Sequence, residues 1–191
     1  EALFYTLAKY DLTMYFHVYD FIQVNHIVNQ KLIHTAIEWL QLCASDHVLE
    51  GFCGIGNFSL PFARTAGYVT ALEADSALIT KAKLNAEHNK IHNVRFLQSD
   101  LYQDEDALDY ASLGANKCFL DPPRSGAGPW LTRILALRPE LIVYVSCAPK
   151  SFVQDAQIIL QAGYTLEYIA VADMFVHTAH VETIAQFVKR R

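Results

Sequence analysis

The sequence has 191 residues, 52% of them apolar and 18% charged, which excludes a disordered chain and suits one α/β domain with a full core. No apolar run approaches the length of a membrane span and no signal peptide opens the chain, so we expect a cytoplasmic protein without membrane contact. The net charge of −5 argues against a protein that grips nucleic acid by charge alone.

The chain is predicted to open with an aromatic-rich arm, in which residues 15–19 alternate loosely as in a strand or hairpin, and to continue with a connector over residues 21–25. Apolar residues at helical spacing predict a helix over residues 29–42. Seven strands are predicted at residues 48–52, 69–72, 94–97, 118–120, 141–145, 164–171 and 181–188. Helices are predicted at residues 58–66, from a cap at Asp75 to about residue 89, and at residues 130–137 and 152–162.

Strands that alternate with helices imply a parallel, doubly wound sheet. The last two strands have no room for a helix between them, so one of them should run antiparallel. We therefore predict an α/β fold with a Rossmann-like, seven-stranded, mostly parallel sheet whose last strand is antiparallel. We divide the chain into an N-terminal arm and connector over residues 1–30 and a single catalytic domain over residues 31–191.

Ligands bind outside the carboxyl ends of the strands in a sheet of this kind. Polar and glycine-rich segments follow the predicted strands at those ends, so we expect them to share one pocket. They are residues 50–57, Glu73, Asp100, residues 121–124 and residues 146–149.

A glycine turn follows the first of these strands, where Gly54 and Gly56 let a ligand approach the backbone closely. A dinucleotide site would have a third glycine at the position of Ser59, so S-adenosylmethionine fits better. Glu73 is suited to accept hydrogen bonds from its ribose hydroxyls, and Asp100 from its adenine amine. The alternative is that these two acids are ordinary exposed residues or helix caps.

Reactive groups follow the later strands. The Asp121-Pro122-Pro123-Arg124 segment holds a group rigidly at the pocket edge, although a purely structural turn would use the same residues. Cys147 is a nucleophile if its pKa is depressed, and a core residue if it is not. Glu182 opens a strand and is a candidate general base. The two histidines before it lack a third ligand at suitable spacing, so we predict no metal site.

These motifs, in this order, resemble the bacterial RNA uracil-5-methyltransferase family over nearly the whole chain from residue 21 onwards. The resemblance is most specific in four stretches, and the stretches around Asp-Met-Phe and His-Val-Glu are more similar to the 23S rRNA branch than to the tRNA branch. The four are Phe-Cys-Gly-Ile-Gly-Asn-Phe-Ser-Leu-Pro, Asp-Pro-Pro-Arg-Ser-Gly, Val-Ser-Cys and His-Val-Glu.

The resemblance implies a methyltransferase fold and the transfer of a methyl group from S-adenosylmethionine to C5 of a uridine in RNA, expected to be 23S rRNA. It implies a covalent adduct between a cysteine and C6 of the uracil, and S-adenosylhomocysteine as product. In this implied site Cys147 is the nucleophile, Glu182 is the base, and Asp121 also contacts the uracil or orients the nucleophile. The cofactor site implied in the same way comprises Gln23, Phe52, Asn57, Glu73, Asp100 and Asp121.

The sequence departs from the family pattern at Glu50-Gly51, where Asp followed by Leu or Tyr is usual, and at Ala148, where Asn is usual. Val176 and Ala179 replace a Pro and a Gly of the 23S rRNA branch. These departures keep two alternatives open, a tRNA uridine-5-methyltransferase and a methyltransferase-fold RNA-binding module with little turnover. A cytosine-5 enzyme would need a Pro-Cys context that the sequence lacks.

Members of this family also carry an N-terminal TRAM domain, and the 23S rRNA branch often holds an iron–sulfur cluster. Neither is in this sequence, and its first residue is Glu1, so we expect a piece of a longer enzyme with any iron–sulfur cluster in the missing N-terminal region. We expect the enzyme to be a monomer.

Overall fold

The computed structural model describes residues 3–103, 109–174 and 181–190. The histidines that precede Glu182 lie outside these ranges. Nine strands are present in the described part: β1 (Leu3–Leu7), β2 (Leu12–Phe16), β3 (His47–Gly51), β4 (Tyr68–Glu73), β5 (Val94–Gln98), β6 (Lys117–Leu120), β7 (Leu141–Ser146), β8 (Tyr164–Ala172) and β9 (Glu182–Lys189). Five α-helices accompany them: α1 (His26–Trp39), α2 (Ser59–Ala63), α3 (Ser76–His88), α4 (Trp130–Leu137) and α5 (Pro149–Gln161).

Seven of the strands form one sheet in the order β5-β4-β3-β6-β7-β9-β8. Strand β9 is antiparallel to both of its neighbours, and the other pairs are parallel. This confirms the predicted seven-stranded, mostly parallel sheet with an antiparallel last strand. The short link between β8 and β9 explains the exception, because a parallel pair needs a long crossover connection.

The N-terminal arm is a hairpin of β1 and β2 that packs onto the main domain. Its side chains Leu7, Leu12 and Met14 are buried in the same core cluster as residues of α1 and of the sheet. Helix α1 begins at His26, earlier than the predicted residue 29, because the Asn25 side chain accepts a hydrogen bond from the backbone N–H of Val28 and so caps it. The boundary expected at residue 30 therefore falls inside this helix.

The sheet is covered on both faces, as its nearly continuous apolar strands require. One face packs against α1, α2 and α3, where the rings of Phe58 and Phe62 lie 4.5 Å and 5.0 Å from that of Phe119. The other face packs against α4 and α5 around Trp130 and Tyr144, both fully buried. The two layers hold the strands rigidly, so the residues that follow each strand are fixed in relation to one another.

The unusual Gly51 is explained by a tryptophan from the opposite layer. A Cβ atom on Gly51 would lie 1.9 Å from Cζ3 of Trp130, so the indole occupies the space that a side chain here would need. The same indole meets the ring of Phe52 edge-on, with 5.8 Å between the ring centroids. Trp130 therefore fills the volume that a larger side chain at position 51 would need.

Candidate functional site

A cavity of about 540 Å³ lies at the carboxyl ends of the parallel strands. All but two of the predicted site residues line it, namely Gln23, Phe52, Gly54, Glu73, Asp100, Asp121, Cys147 and Glu182. The strand registers explain this convergence, because Gly51 pairs with both Leu72 and Leu120 and so aligns the ends of β3, β4 and β6. The residue after each of these ends then opens onto the same edge.

The glycine turn shapes one wall of the cavity. Gly54 and Gly56 have φ values of 55° and 90°, and Phe52, which is not a glycine, has φ 63°. A left-handed backbone costs a residue such as Phe about 1–3 kcal/mol, and such strain is concentrated at functional sites. Gly56 does not line the cavity; a Cβ atom there would make an ordinary contact of 3.4 Å with the ring of Phe96, so it is the φ of 90° that favours glycine.

Asn57 links the glycine turn to the hairpin and to α1 by hydrogen bonds. Its amide exchanges two hydrogen bonds of 2.9 Å with the side chain of Asn29 in α1, and its oxygen also accepts one of 2.8 Å from the Tyr5 hydroxyl in the hairpin. Asn57 lines a small adjoining cavity of about 60 Å³, together with Gln23 and Phe52. It therefore holds the hairpin and α1 against the glycine turn at the side of the larger cavity.

Glu73 ends β4 and its carboxylate faces the turn. One oxygen accepts a hydrogen bond from the backbone N–H of Gly54 at 3.0 Å, and the other accepts from Ala74 and Asp75 at 2.8 and 3.1 Å. The predicted cap at Asp75 is confirmed, because its side chain accepts from the backbone N–H of Ala77 at 2.7 Å. The Gly54-facing oxygen of Glu73 keeps an acceptor position for a ligand, since a carboxylate oxygen has two lone pairs.

Cys147 and Glu182 lie at the same end of two antiparallel strands. Ser146, the last residue of β7, pairs with Thr183 of β9, so Cys147 and Glu182 each lie next to this last pair of the ladder. Glu182 is 5% exposed, and both residues line the cavity. A thiol and a buried carboxylate thus face one space.

The acidic groups of this end have raised pKa values, chiefly because they are buried. Burial raises the pKa of Asp121 to about 7, the charge of Glu182 adds to the effect, and a hydrogen bond from Gln23 opposes it. Burial also raises the pKa of Glu182. The pKa of the Cys147 thiol is raised by burial, then by the charges of Glu182 and Asp121, while Arg124 acts in the opposite direction. The thiol is therefore mostly protonated at neutral pH, whereas a depressed pKa would favour a nucleophile, and a pKa of about 7 leaves the Asp121 carboxyl only partly ionised there.

Helix α5 starts at Pro149, two residues after Cys147, and its N-cap residue is Ala148, whose methyl group cannot accept a hydrogen bond. Pro149 occupies the first turn, and the hydroxyl of Ser146 accepts a hydrogen bond of 3.1 Å from the backbone N–H of Ala148. An Asn at this position would accept from the first turn of the helix, as Asn25 does for α1. Helix α5 thus begins without a side-chain cap next to the nucleophile candidate.

We expect Ala148→Asn to stabilise the protein by about 1 kcal/mol, the usual value of an N-cap side chain. In a protein of this size that corresponds to a rise in melting temperature of about 2–4 °C. Calorimetric unfolding of the wild type, Ala148→Asn and the non-capping control Ala148→Val measures the effect. A melting temperature of the Asn variant no higher than that of the Val variant would contradict the capping role.

The sequence did not single out three residues that the structure places at or under the site. Phe21 and Tyr102 line the cavity, and Asp155 of α5 is buried beneath the loop that carries Asp121. A signal for Asp155 was present, since it lies three residues after Phe152 on the apolar face of the helix. A carboxylate on such a face needs buried partners.

Two kinds of feature are absent from the described ranges. No helix there is long and apolar enough to cross a bilayer. Nor do those ranges contain a group of three or more His, Cys, Asp or Glu side chains arranged to hold a metal ion.

Comparison with known proteins gives consistent matches. Residues 6–190 match the family model for tRNA (uracil-5-)-methyltransferase. A 23S rRNA (uracil(1939)-C(5))-methyltransferase RlmD from Pasteurella multocida is 46% identical over 189 residues, covering 99% of this chain and 43% of the relative. The protein of the same name from Mannheimia succiniciproducens is 44% identical over 187 residues, covering 98% of this chain and 42% of the relative. The chain therefore spans less than half the length of these relatives.

Solved structures show the same fold. The crystal structure of Pyrococcus abyssi tRNA (uracil-54, C5)-methyltransferase in complex with S-adenosyl-L-homocysteine superimposes with a TM-score of 0.82 at 26% identity, covering 98% of this chain and 44% of that one. M. jannaschii TYW2 in complex with AdoMet, at 18% identity, shares the fold with a TM-score of 0.70, covering 99% of this chain and 87% of that one. With a family model matched from residue 6 to residue 190, the chain belongs to the tRNA (uracil-5-)-methyltransferase family.

Proposed function

We propose that the chain is the catalytic part of an enzyme that transfers a methyl group from S-adenosylmethionine to C5 of a uridine in 23S rRNA, the substrate in the names of its relatives. One observation carries the proposal: Cys147 and Glu182 line the same cavity as Glu73 and Asp100. The proposal includes a monomeric, cytoplasmic enzyme. It assigns catalysis to residues 31–191. From the arm and connector, only Gln23 is assigned to the cofactor site.

The cavity fits the cofactor in volume and chemistry. Its volume of about 540 Å³ lies within the usual range for small-molecule sites. The space in front of Gly54 is open, since a Cβ atom there would meet no heavy atom within 4 Å. Glu73 and Asp100 are acceptors for the ribose hydroxyls and the adenine amine, and Phe52 provides an apolar wall. When bound, S-adenosylmethionine supplies an electrophilic methyl group.

C5 of uracil is a poor nucleophile, and the residues at the other side of the cavity have the chemistry needed to activate it. The Cys147 thiol loses its proton to solvent, and the thiolate forms a bond to C6 of the uracil. The electron pair of the C5–C6 double bond moves toward O4 as an enolate, which makes C5 nucleophilic. After C5 is methylated, Glu182 accepts the C5 proton, the double bond re-forms and the thiolate leaves. Asp121 lies beside both groups and is suited to orient the base or the nucleophile.

The cavity must receive a base that is out of its stack, because the thiolate adds to C6 from one face of the ring. Arg124, exposed at the rim, provides a cation there in a chain whose net charge is −5. Because one cation is too few to bind an RNA, we assign most of the RNA binding to the rest of the longer protein.

The test uses the full-length protein with labelled S-adenosylmethionine and RNA from a strain that lacks the gene. We expect 5-methyluridine in 23S rRNA, identified by mass spectrometry of digested nucleosides, and none in tRNA. Label in tRNA alone would show that the substrate is tRNA and not 23S rRNA. Calorimetric binding of S-adenosylmethionine without any label in RNA would instead favour a binding module without turnover, which the departures at Glu50-Gly51 and Ala148 had kept open.

A further inference from the structure

One peptide unit in the loop after β6 is held at both of its polar atoms. The carbonyl oxygen of Gly126 accepts a hydrogen bond of 2.6 Å from the hydroxyl of Tyr102. The N–H of Ala127, on the same peptide bond, donates to the carboxylate of Asp155 at 2.7 Å. Bonds to charged acceptors are about twice as strong as neutral ones, so the orientation of this peptide is tightly fixed.

The two side chains come from different walls of the site. Tyr102 follows β5, lines the cavity and has its ring centroid 5.9 Å from that of Phe52. Asp155 lies in α5, the helix that begins two residues after Cys147. The peptide therefore connects the wall near the proposed cofactor site with the helix behind the proposed nucleophile.

The residues around Asp155 allow the Gly126–Ala127 backbone to lie close to its carboxylate. The carboxylate is 7% exposed, and the same oxygen that binds Ala127 also accepts from the hydroxyl of Tyr144. A buried carboxylate costs stability unless it is hydrogen-bonded, so these donors are required. Gly126 has φ 86°, and a Cβ atom there would lie 2.7 Å from that oxygen. Only glycine allows the backbone to come this near.

The peptide is rigidly connected to Asp121. The N–H of Gly126 donates to the carbonyl oxygen of Pro123 at 2.9 Å, which closes the turn. Pro122 and Pro123 then fix the backbone back to Asp121, because each ring locks its own φ. A movement of the Gly126–Ala127 peptide is consequently passed on to the Asp121 carboxylate.

We propose that the Gly126–Ala127 peptide, held by Tyr102 and Asp155, is a clamp that positions Asp121 against Cys147 and joins the cofactor wall to the helix of the nucleophile. Tyr102 and Asp155 are positioning residues, since they act through the loop. The inference rests on the proposed function for its kinetic readout, and it has a second readout that needs no methyl transfer.

The second readout is the pH profile of Cys147 alkylation by iodoacetamide, followed by mass spectrometry of the Cys147 peptide. The charged groups that act on this thiol are Asp121 from the loop, Glu182 from β9 and Arg124 at the rim. The two carboxylates raise the pKa of the thiol, so a displaced Asp121 lets it ionise at lower pH. A change of stability alone leaves the profile of the folded protein where it was.

The variants are Tyr102→Phe, which removes one hydroxyl and keeps the ring, Asp155→Asn, and the double variant, in the full-length protein. Tyr68→Phe is the matched control, at the far end of β4 from the cavity. We expect each single variant to lower kcat about 10- to 100-fold, the effect of a small misplacement at a reacting centre. We also expect each to shift the alkylation profile to lower pH. Because both side chains hold one peptide, the double variant should be no worse than the more affected single variant.

An unshifted profile in both single variants would overturn the clamp, as would losses that simply multiply in the double variant. If the wild type methylates no RNA, the proposed function fails, and the alkylation profiles still decide whether the clamp exists. If methylation falls while the profiles match the Tyr68→Phe control, the clamp is wrong and the proposed function stands.

Discussion

Replacing Cys147 with alanine is expected to abolish methyl transfer, with a loss of at least about 10⁴-fold in kcat. The proposed reaction has no alternative to a sulfur nucleophile, because C5 of uracil becomes reactive only after a group has added to C6. Water at the same position is far less nucleophilic than a thiolate. The loss should therefore appear in the chemical step, while the calorimetric affinity for S-adenosylmethionine stays near that of the wild type.

The other thiols cannot replace Cys147. Cys53 and Cys118 are 4% and 1% exposed, and burial raises the pKa of each thiol further from the neutral range. Cys43 is exposed, in the segment between α1 and β3 at the opposite end of the sheet, where its sulfur lies 3.1 Å from the Ser45 hydroxyl. Cys43→Ala is thus a matched control that should retain the full rate.

An RNA substrate containing 5-fluorouridine gives a direct measurement. Fluorine replaces the C5 proton and cannot leave as a cation, so the adduct should persist on a denaturing gel for the wild type and Cys43→Ala. The Cys147→Ala protein should show no such band. If the Cys147→Ala protein methylates RNA, or if it forms a persistent adduct with the fluorinated RNA, this cysteine is not the nucleophile.

The position of the site was predictable because one rule of parallel sheets determines it. Residues that follow the strands meet at one edge, and no contact had to be known in advance to bring Glu73, Asp121 and Cys147 together. The antiparallel last strand was predictable for a similar reason, because it depends only on the length of a connection. Its register pairs Ser146 with Thr183 and so brings Cys147 and Glu182 to the same end of the sheet, a placement that the chain order alone does not reveal.

What the sequence could not show depends on contacts between layers. Asn57 stays a predicted residue of the cofactor site, and its amide also joins α1 and the hairpin, because Asn29 and Tyr5 come within hydrogen-bond distance only when the elements pack. The packing of Trp130 into the space beside Gly51 has the same origin, since the two residues are far apart in sequence and come together only in the folded protein. The apolar period of a helix likewise carries no information on what Asp155 meets beneath the loop.

Replacing Glu182 with glutamine should have the second largest effect, a fall in kcat of about 10²–10⁴-fold, as is usual for the loss of a general base. Glutamine preserves the size of the side chain and removes its capacity to accept a proton. If the C5 proton cannot leave, the methylated adduct cannot decay. Unmodified RNA with S-adenosylmethionine should then accumulate a covalent complex on a denaturing gel, which the wild type resolves.

The same substitution should make the nucleophile easier to ionise. The charge of Glu182 raises the pKa of the Cys147 thiol in the folded protein, so its removal lowers that pKa and increases the thiolate fraction at a given pH. Alkylation of Cys147 should therefore shift to lower pH in Glu182→Gln, even though methylation is nearly lost. Glu167→Gln, on the exposed strand β8, is the matched control and should leave the profile unchanged.

A more reactive thiol in a less active enzyme separates the two roles assigned to this carboxylate. If Glu182 only supported the fold, its replacement would lower alkylation and methylation alike or leave both unchanged. If it only raised the thiol pKa, its loss would speed methylation, because more thiolate would be available. Only a base that also faces the thiol predicts faster alkylation, slower turnover and a trapped adduct in a single variant.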